Sequence, residues 1–138
     1  MANPDVRDPV LKLRGHHLIC LPFIAAPPPR PYSAEFLQTE KRVKEILSSE
    51  PEHPVMVVEG PDVICPLCPE YVDGRCAAPQ GDETETRKWD AILLRELGVT
   101  FGTCLPAGEW QARIAQKIPF KMCQRCKGRT VCQAGQLA

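Results

Sequence analysis

Cys65-Pro66-Leu67-Cys68 puts two sulfurs two residues apart, and Cys76 adds a third after seven further residues. The prolines flanking Cys68 restrict the backbone, so this stretch reads as a stiff turn that presents three thiolates together. Thiolates arranged in this way can share one metal centre. Cys123-Gln124-Arg125-Cys126, followed by Cys132, repeats the pattern near the C-terminus, and two such loops in 138 residues are far less expected by chance than one.

Soft thiolates select zinc, copper(I) or iron–sulfur clusters over calcium and magnesium. Closed structural zinc sites usually join two CxxC pairs, or one CxxC with two histidines. Here the cysteines come in threes, as CxxC-x7-C and CxxC-x5-C, with proline beside a ligand, which points to cluster ligation. One or two iron–sulfur clusters of the 4Fe–4S type are the first expectation, and Zn2+ is the alternative.

Three thiolates need a fourth ligand. For the first loop the expected one is Cys20, which comes from a separate segment carrying His16 and His17. For the second loop the candidates are Cys104, His16 and His17. A coordination position left open would turn one iron into a Lewis acid facing substrate. The expected ligand set is therefore Cys20, Cys65, Cys68, Cys76, Cys123, Cys126 and Cys132, with His16 and His17 as further metal candidates. Cys104 reads better as a small buried hydrophobe, and His53, between Glu52 and Pro54, as solvated.

The elements that must position these groups follow from periodicity. A helix starting near His16 puts Cys20 one turn beyond it on the same face. Ala25 to Pro31, with four prolines, can only be an extended connection. Ser33 caps a packing helix with Phe36, Val43, Ile46 and Leu47 inward, ended by Pro51. Val55 to Val58 reads as a short strand leading to the first cysteine loop, which Gly74 turns back to present Cys76. Thr84 or Thr86 would cap a helix with Trp89, Ile92, Leu93 and Leu97 on one face and Gly98 as its left-handed stop. A loop holding Cys104 precedes a last helix, Glu109 to Ile118, with Trp110, Ile114 and Ile118 inward.

Length and composition fit one domain spanning residues 1–138, mainly α with a short β element, an α+β class. With 43% hydrophobic residues a core is affordable, while 15 prolines and 6% aromatics leave much of the chain as turn. The formal net charge is zero but unevenly spread. From Glu59 to Asp90 eight acidic residues face three basic ones, and beyond Glu109 there are six basic residues and no acidic one. Positive charge beside thiolates lowers their pKa and offsets the negative charge of a cluster.

No apolar run reaches signal-peptide or membrane-span length, so the expected compartment is the cytoplasm. Eight cysteines in a reducing compartment are poorly explained as four disulfides. Aromatic interleaving and groove-reading motifs are missing from the basic stretch, which ranks nucleic acid last among partners. Catalytic triads and phosphate loops are also missing.

The run Leu13-Arg14-Gly15-His16-His17-Leu18-Ile19-Cys20-Leu21, with Tyr32-Ser33-Ala34-Glu35-Phe36, Gly60 to Cys68, Asp73 to Cys76, and Cys123, Cys126 and Cys132, resembles the DUF1284 family over nearly the whole chain. The resemblance implies a small prokaryotic protein that binds iron–sulfur clusters, and it names no reaction. The chain departs from the family pattern at Pro27 to Pro31, where the family has glycines, and at Cys104, which has no counterpart there. Three functions follow as expectations: an iron–sulfur protein serving electron transfer with a redox partner protein, a zinc-stabilised interaction module, and an enzyme using an incompletely ligated cluster with His16 or His17 as proton donor or substrate ligand.

Overall fold

The structure is a computed structural model, and it describes residues 5–24, 31–78 and 81–125. Its centre is a three-stranded sheet of β1 (Leu11–Arg14), β2 (Pro54–Val58) and β6 (Cys104–Pro106), in the order β1-β2-β6. β1 lies parallel to β2 with Leu11 opposite Val55 and Leu13 opposite Val57, and β6 runs antiparallel with Leu105 opposite Val55. Leu11, Leu13, Val55 and Val57 are fully buried while Lys12 is exposed, so alternation sets the core face. β1 is not among the elements expected from the sequence, because its partner β2 lies far along the chain. Cys104 is likewise not in a loop but on the strand β6, where it pairs with Met56 and is exposed rather than buried.

The helix expected to start near His16 breaks after one and a half turns. α1 covers Gly15–Cys20, and a 3-10 turn, Leu21–Phe23, takes over where Pro22 removes an amide donor. α2 (Ala34–Ser49) begins as its sequence requires: Ser33 Oγ accepts the Phe36 amide at 3.0 Å, and Phe36, Val43, Ile46 and Leu47 are buried. α4 (Ala107–Lys117) is tied to the sheet by Trp110, whose indole Nε1–H donates to the Val55 carbonyl at 2.8 Å.

The first cysteine loop forms a 3-10 turn, Cys65–Leu67, followed by a small antiparallel meander of β3 (Tyr71–Val72), β4 (Arg75–Ala78) and β5 (Gly81–Asp82). Gly74 makes the β3–β4 turn with φ 78°. α3 (Glu83–Leu97) follows, stopped by left-handed Gly98 at φ 82°. Its cap is Asp82, which accepts the Glu85 amide, and not Thr84 or Thr86. Its inward face is Asp90, Leu93, Leu94 and Leu97, whereas Ile92 is 42% exposed. The expected stripe was rotated because a charged residue, Asp90, occupies a core position. α1 packs closely on α3 at Gly15, where a Cβ would lie 3.1 Å from Asp90 Cβ.

Candidate metal centre

Arg14 is the last residue of β1 and is 1% exposed. Its backbone is still extended, with φ −76° and ψ 161°, and the side chain is buried because Glu83 and Asp90 of α3 cover it. Its Nε donates to Asp90 Oδ2 at 2.9 Å, and its Nη2 to Glu83 Oε2 at 2.7 Å. Nη1 reaches Glu83 Oε1 at 3.2 Å and Cys65 Sγ at 3.7 Å. The Arg14 backbone N–H donates to Asp62 Oδ2 at 2.8 Å. One residue thereby joins β1, the first cysteine loop and α3.

Each carboxylate in turn anchors a residue of chemical interest. Asp62, fully buried after the Gly60-Pro61 turn, accepts the Ile64 amide at 2.9 Å and the Cys65 thiol at 3.5 Å on Oδ1, and His17 Nδ1 at 2.7 Å on Oδ2. With the Arg14 amide this makes four donors, the full capacity of a carboxylate. Asp90 Oδ1 accepts both the amide and the ring Nδ1 of His16, at 2.9 and 2.8 Å. Glu83 Oε1 accepts the Cys76 amide at 3.0 Å, and Oε2 accepts Arg87 Nε at 2.9 Å.

The electrostatics follow from these contacts. Burial alone would raise the Asp62 pKa, but His17 and the two backbone amides outweigh it and hold the group at about 2. Glu83 is also held at about 2: burial works against it, and Arg14, the Cys76 amide and Arg87 prevail. Asp90 is lowered too, with His16 and Arg14 overcoming its burial. Burial pushes the His16 pKa down and His17 adds to that, while Asp90 pulls the other way. Cys65 is pushed up to about 12 by burial and by the Asp62 charge. A metal ion would reverse that, because coordination strips the thiol proton.

Three buried carboxylates face one buried guanidinium, the half-exposed Arg87 and the two imidazoles. Among the described residues, one group of three candidate ligands lies within 4.8 Å of one another: His17, Asp62 and Cys65.

Of the ligands expected from sequence, Cys65 meets this network at its sulfur, Cys76 at its amide, and His16 and His17 at their rings. Cys65 begins the 3-10 turn and Cys68 follows its end; Cys76 lies on β4 opposite Tyr71, with Thr86 Oγ1 at 3.9 Å from its sulfur. Cys20 ends α1, and Cys123 lies in the 3-10 turn Lys121–Arg125 after α4; both are partly buried against the core. Cys126 and Cys132 lie outside the described residues. His53, expected to be solvated, is only 19% exposed at its side chain, and its Nε2 is buried with no partner. Arg14, Asp62, Glu83 and Asp90 are absent from the sequence-based ligand set. The one available signal was helical spacing: Asp90 falls three, four and seven residues before Leu93, Leu94 and Leu97, on the apolar stripe.

Fold and site together define a small α+β domain in which a cysteine turn and a histidine-bearing helix are fastened to one buried charge network. The chain belongs to the DUF1284 family, described as a protein of unknown function, whose profile matches residues 31–132. That match covers the cysteine loops and begins after the His16-His17 segment. No curated protein and no solved structure matches the chain.

Proposed function

We propose that this protein is a metal–thiolate protein that binds an iron–sulfur cluster on the Cys65-Cys68-Cys76 loop, with Cys20 as the fourth ligand, and serves electron transfer with a partner protein in a reducing compartment such as the cytoplasm. The observation that carries this reading is Arg14. A buried arginine hydrogen-bonded to Cys65 Sγ, with Glu83 bridging it to the Cys76 amide, is an arrangement that preorganises thiolates and stabilises their charge. Burying four charges to join three segments is expensive, and ligand positioning gives that burial a purpose.

A second reading rests on the His17, Asp62 and Cys65 group. Its nitrogen, oxygen and sulfur donors within 4.8 Å suit a single zinc ion, which would displace the His17 and Cys65 protons now shared with Asp62. The two readings separate in one spectrum. A cluster gives broad visible absorption that bleaches on reduction and disappears in Cys68→Ala. A colourless protein that holds one zinc, loses it in Asp62→Asn and keeps it in Cys68→Ala overturns the cluster in favour of the single ion.

A further inference from the structure

We propose that His16 and His17 form a second metal site, distinct from the cysteine loops, that takes one first-row divalent ion through the two imidazole Nε2 atoms. Each ring is held at Nδ1 by its own buried carboxylate, Asp90 Oδ1 at 2.8 Å and Asp62 Oδ2 at 2.7 Å, and these carboxylates are 1% and 0% exposed. An ionised carboxylate only accepts, so Nδ1 carries the hydrogen and the neutral ring keeps its lone pair on Nε2. Orienting a histidine ligand through a carboxylate on its other nitrogen is the usual outer support of a metal site. Here that support occurs on two consecutive residues.

Consecutive helical residues diverge by about 100° around the axis, so neighbouring rings do not normally meet. These do, with ring centres 4.3 Å apart and planes at 57°. Asp90 comes from α3 and Asp62 from the loop before the 3-10 turn, and together they fix the pair. Two imidazoles on one ion with metal–nitrogen bonds of about 2.0–2.1 Å have ring centres roughly 4.5–5.2 Å apart, a spacing close to the 4.3 Å found here. The side chains keep 36% and 18% of their exposure, which leaves a route from solvent and room for water or an external donor as the remaining ligands. Asp62 already accepts four donors and acts in this site as the orienting group for His17.

The test is titration of the chelator-treated protein with Co2+ alone, reading bound equivalents, ligand-field absorption and the thiolate-to-cobalt band. His16→Gln and His17→Gln are each expected to weaken one equivalent at least tenfold and leave the thiolate band unchanged; both side chains are partly exposed, so the fold should survive. Asp90→Asn should weaken the same equivalent by about 10- to 100-fold. Unchanged stoichiometry and affinity in both histidine variants would overturn the site. So would loss of that equivalent together with the thiolate band in Cys65→Ser, which would place the ion among His17, Asp62 and Cys65. Iron and sulfide analysis of the same preparations reports on the cluster separately, so either proposal can fail while the other stands.

Discussion

Arg14 Nη1 lies 3.7 Å from Cys65 Sγ while the same guanidinium is bound to Glu83 and Asp90. The contact links the end of the first strand to the first sulfur of the cysteine loop. Every other group of chemical interest around it, His16, His17 and Cys76, is one carboxylate away.

Replacing Arg14 therefore removes the partner of two buried carboxylates. Arg14→Gln is expected to cost about 3–5 kcal/mol, the usual penalty for leaving a buried charge unpaired. Arg14→Lys should fall between, because a lysine keeps the charge but cannot grip Glu83 with two nitrogens while reaching Asp90. Urea denaturation monitored by fluorescence measures both, and equal stability of Arg14→Gln and the parent would contradict the network's role.

Acid should weaken the fold in a defined window. Asp62 and Glu83 titrate at about 2 in the folded chain against ordinary values of 3.8 and 4.5, so their stabilisation is complete above about pH 4.5 and is lost as pH falls toward 2. Each is worth on the order of 2–3 kcal/mol. Asp90 acts in the same direction. His16, whose folded pKa is lowered, begins the decline earlier, since the unfolded chain takes up its proton below about pH 6.5. Urea midpoints measured from pH 7 to pH 3 should fall throughout, most steeply below pH 4.5; a midpoint that stays flat from pH 5 to pH 3 would count against buried ionised carboxylates.

Gly15→Ala tests the seating of the histidine helix. Its Cβ would meet Asp90 Cβ at 3.1 Å and Asp90 backbone atoms at 3.2 Å, so the α1–α3 contact must give by a few tenths of an ångström. A loss of about 1–3 kcal/mol is expected, as for other overpacked sites. The downfield Nδ1–H resonance of His16 should shift or broaden in NMR spectra as its bond to Asp90 lengthens. An unaltered resonance with full stability would show that the contact is slack.

Cys104 serves as the internal control. It is exposed on β6, away from the Arg14 network, so Cys104→Ser is expected to leave metal content and melting temperature within error of the parent. Cys65→Ser should lower both. Parallel loss in the two variants would point to a general effect of thiol removal.

Much of the framework was legible because local chemistry dictates it. Ser33 caps α2, Val55 to Val58 form a strand, Gly74 turns the hairpin and Gly98 stops α3, each by short-range rules that tertiary packing did not override. β1 escaped because its pairing with β2, Leu11 opposite Val55, is non-local. The cysteines proposed as ligands could be named from spacing alone. Their supports could not, because Arg14, Asp62, Glu83 and Asp90 are brought together by contacts up to 76 residues apart in sequence. A charged residue also ordinarily reads as surface, and only Asp90, set among Leu93, Leu94 and Leu97, disturbed a pattern that could be counted.

Anaerobic purification followed by iron, acid-labile sulfide and zinc analysis decides whether the Cys65 loop holds an iron–sulfur cluster. The expected result is iron and sulfide in equal amounts, roughly four of each per chain for one cluster of the 4Fe–4S type, with a paramagnetic signal on reduction that is lost in Cys68→Ala. Stoichiometric zinc without sulfide would contradict it and leave the single-ion site at His17, Asp62 and Cys65 as the better account.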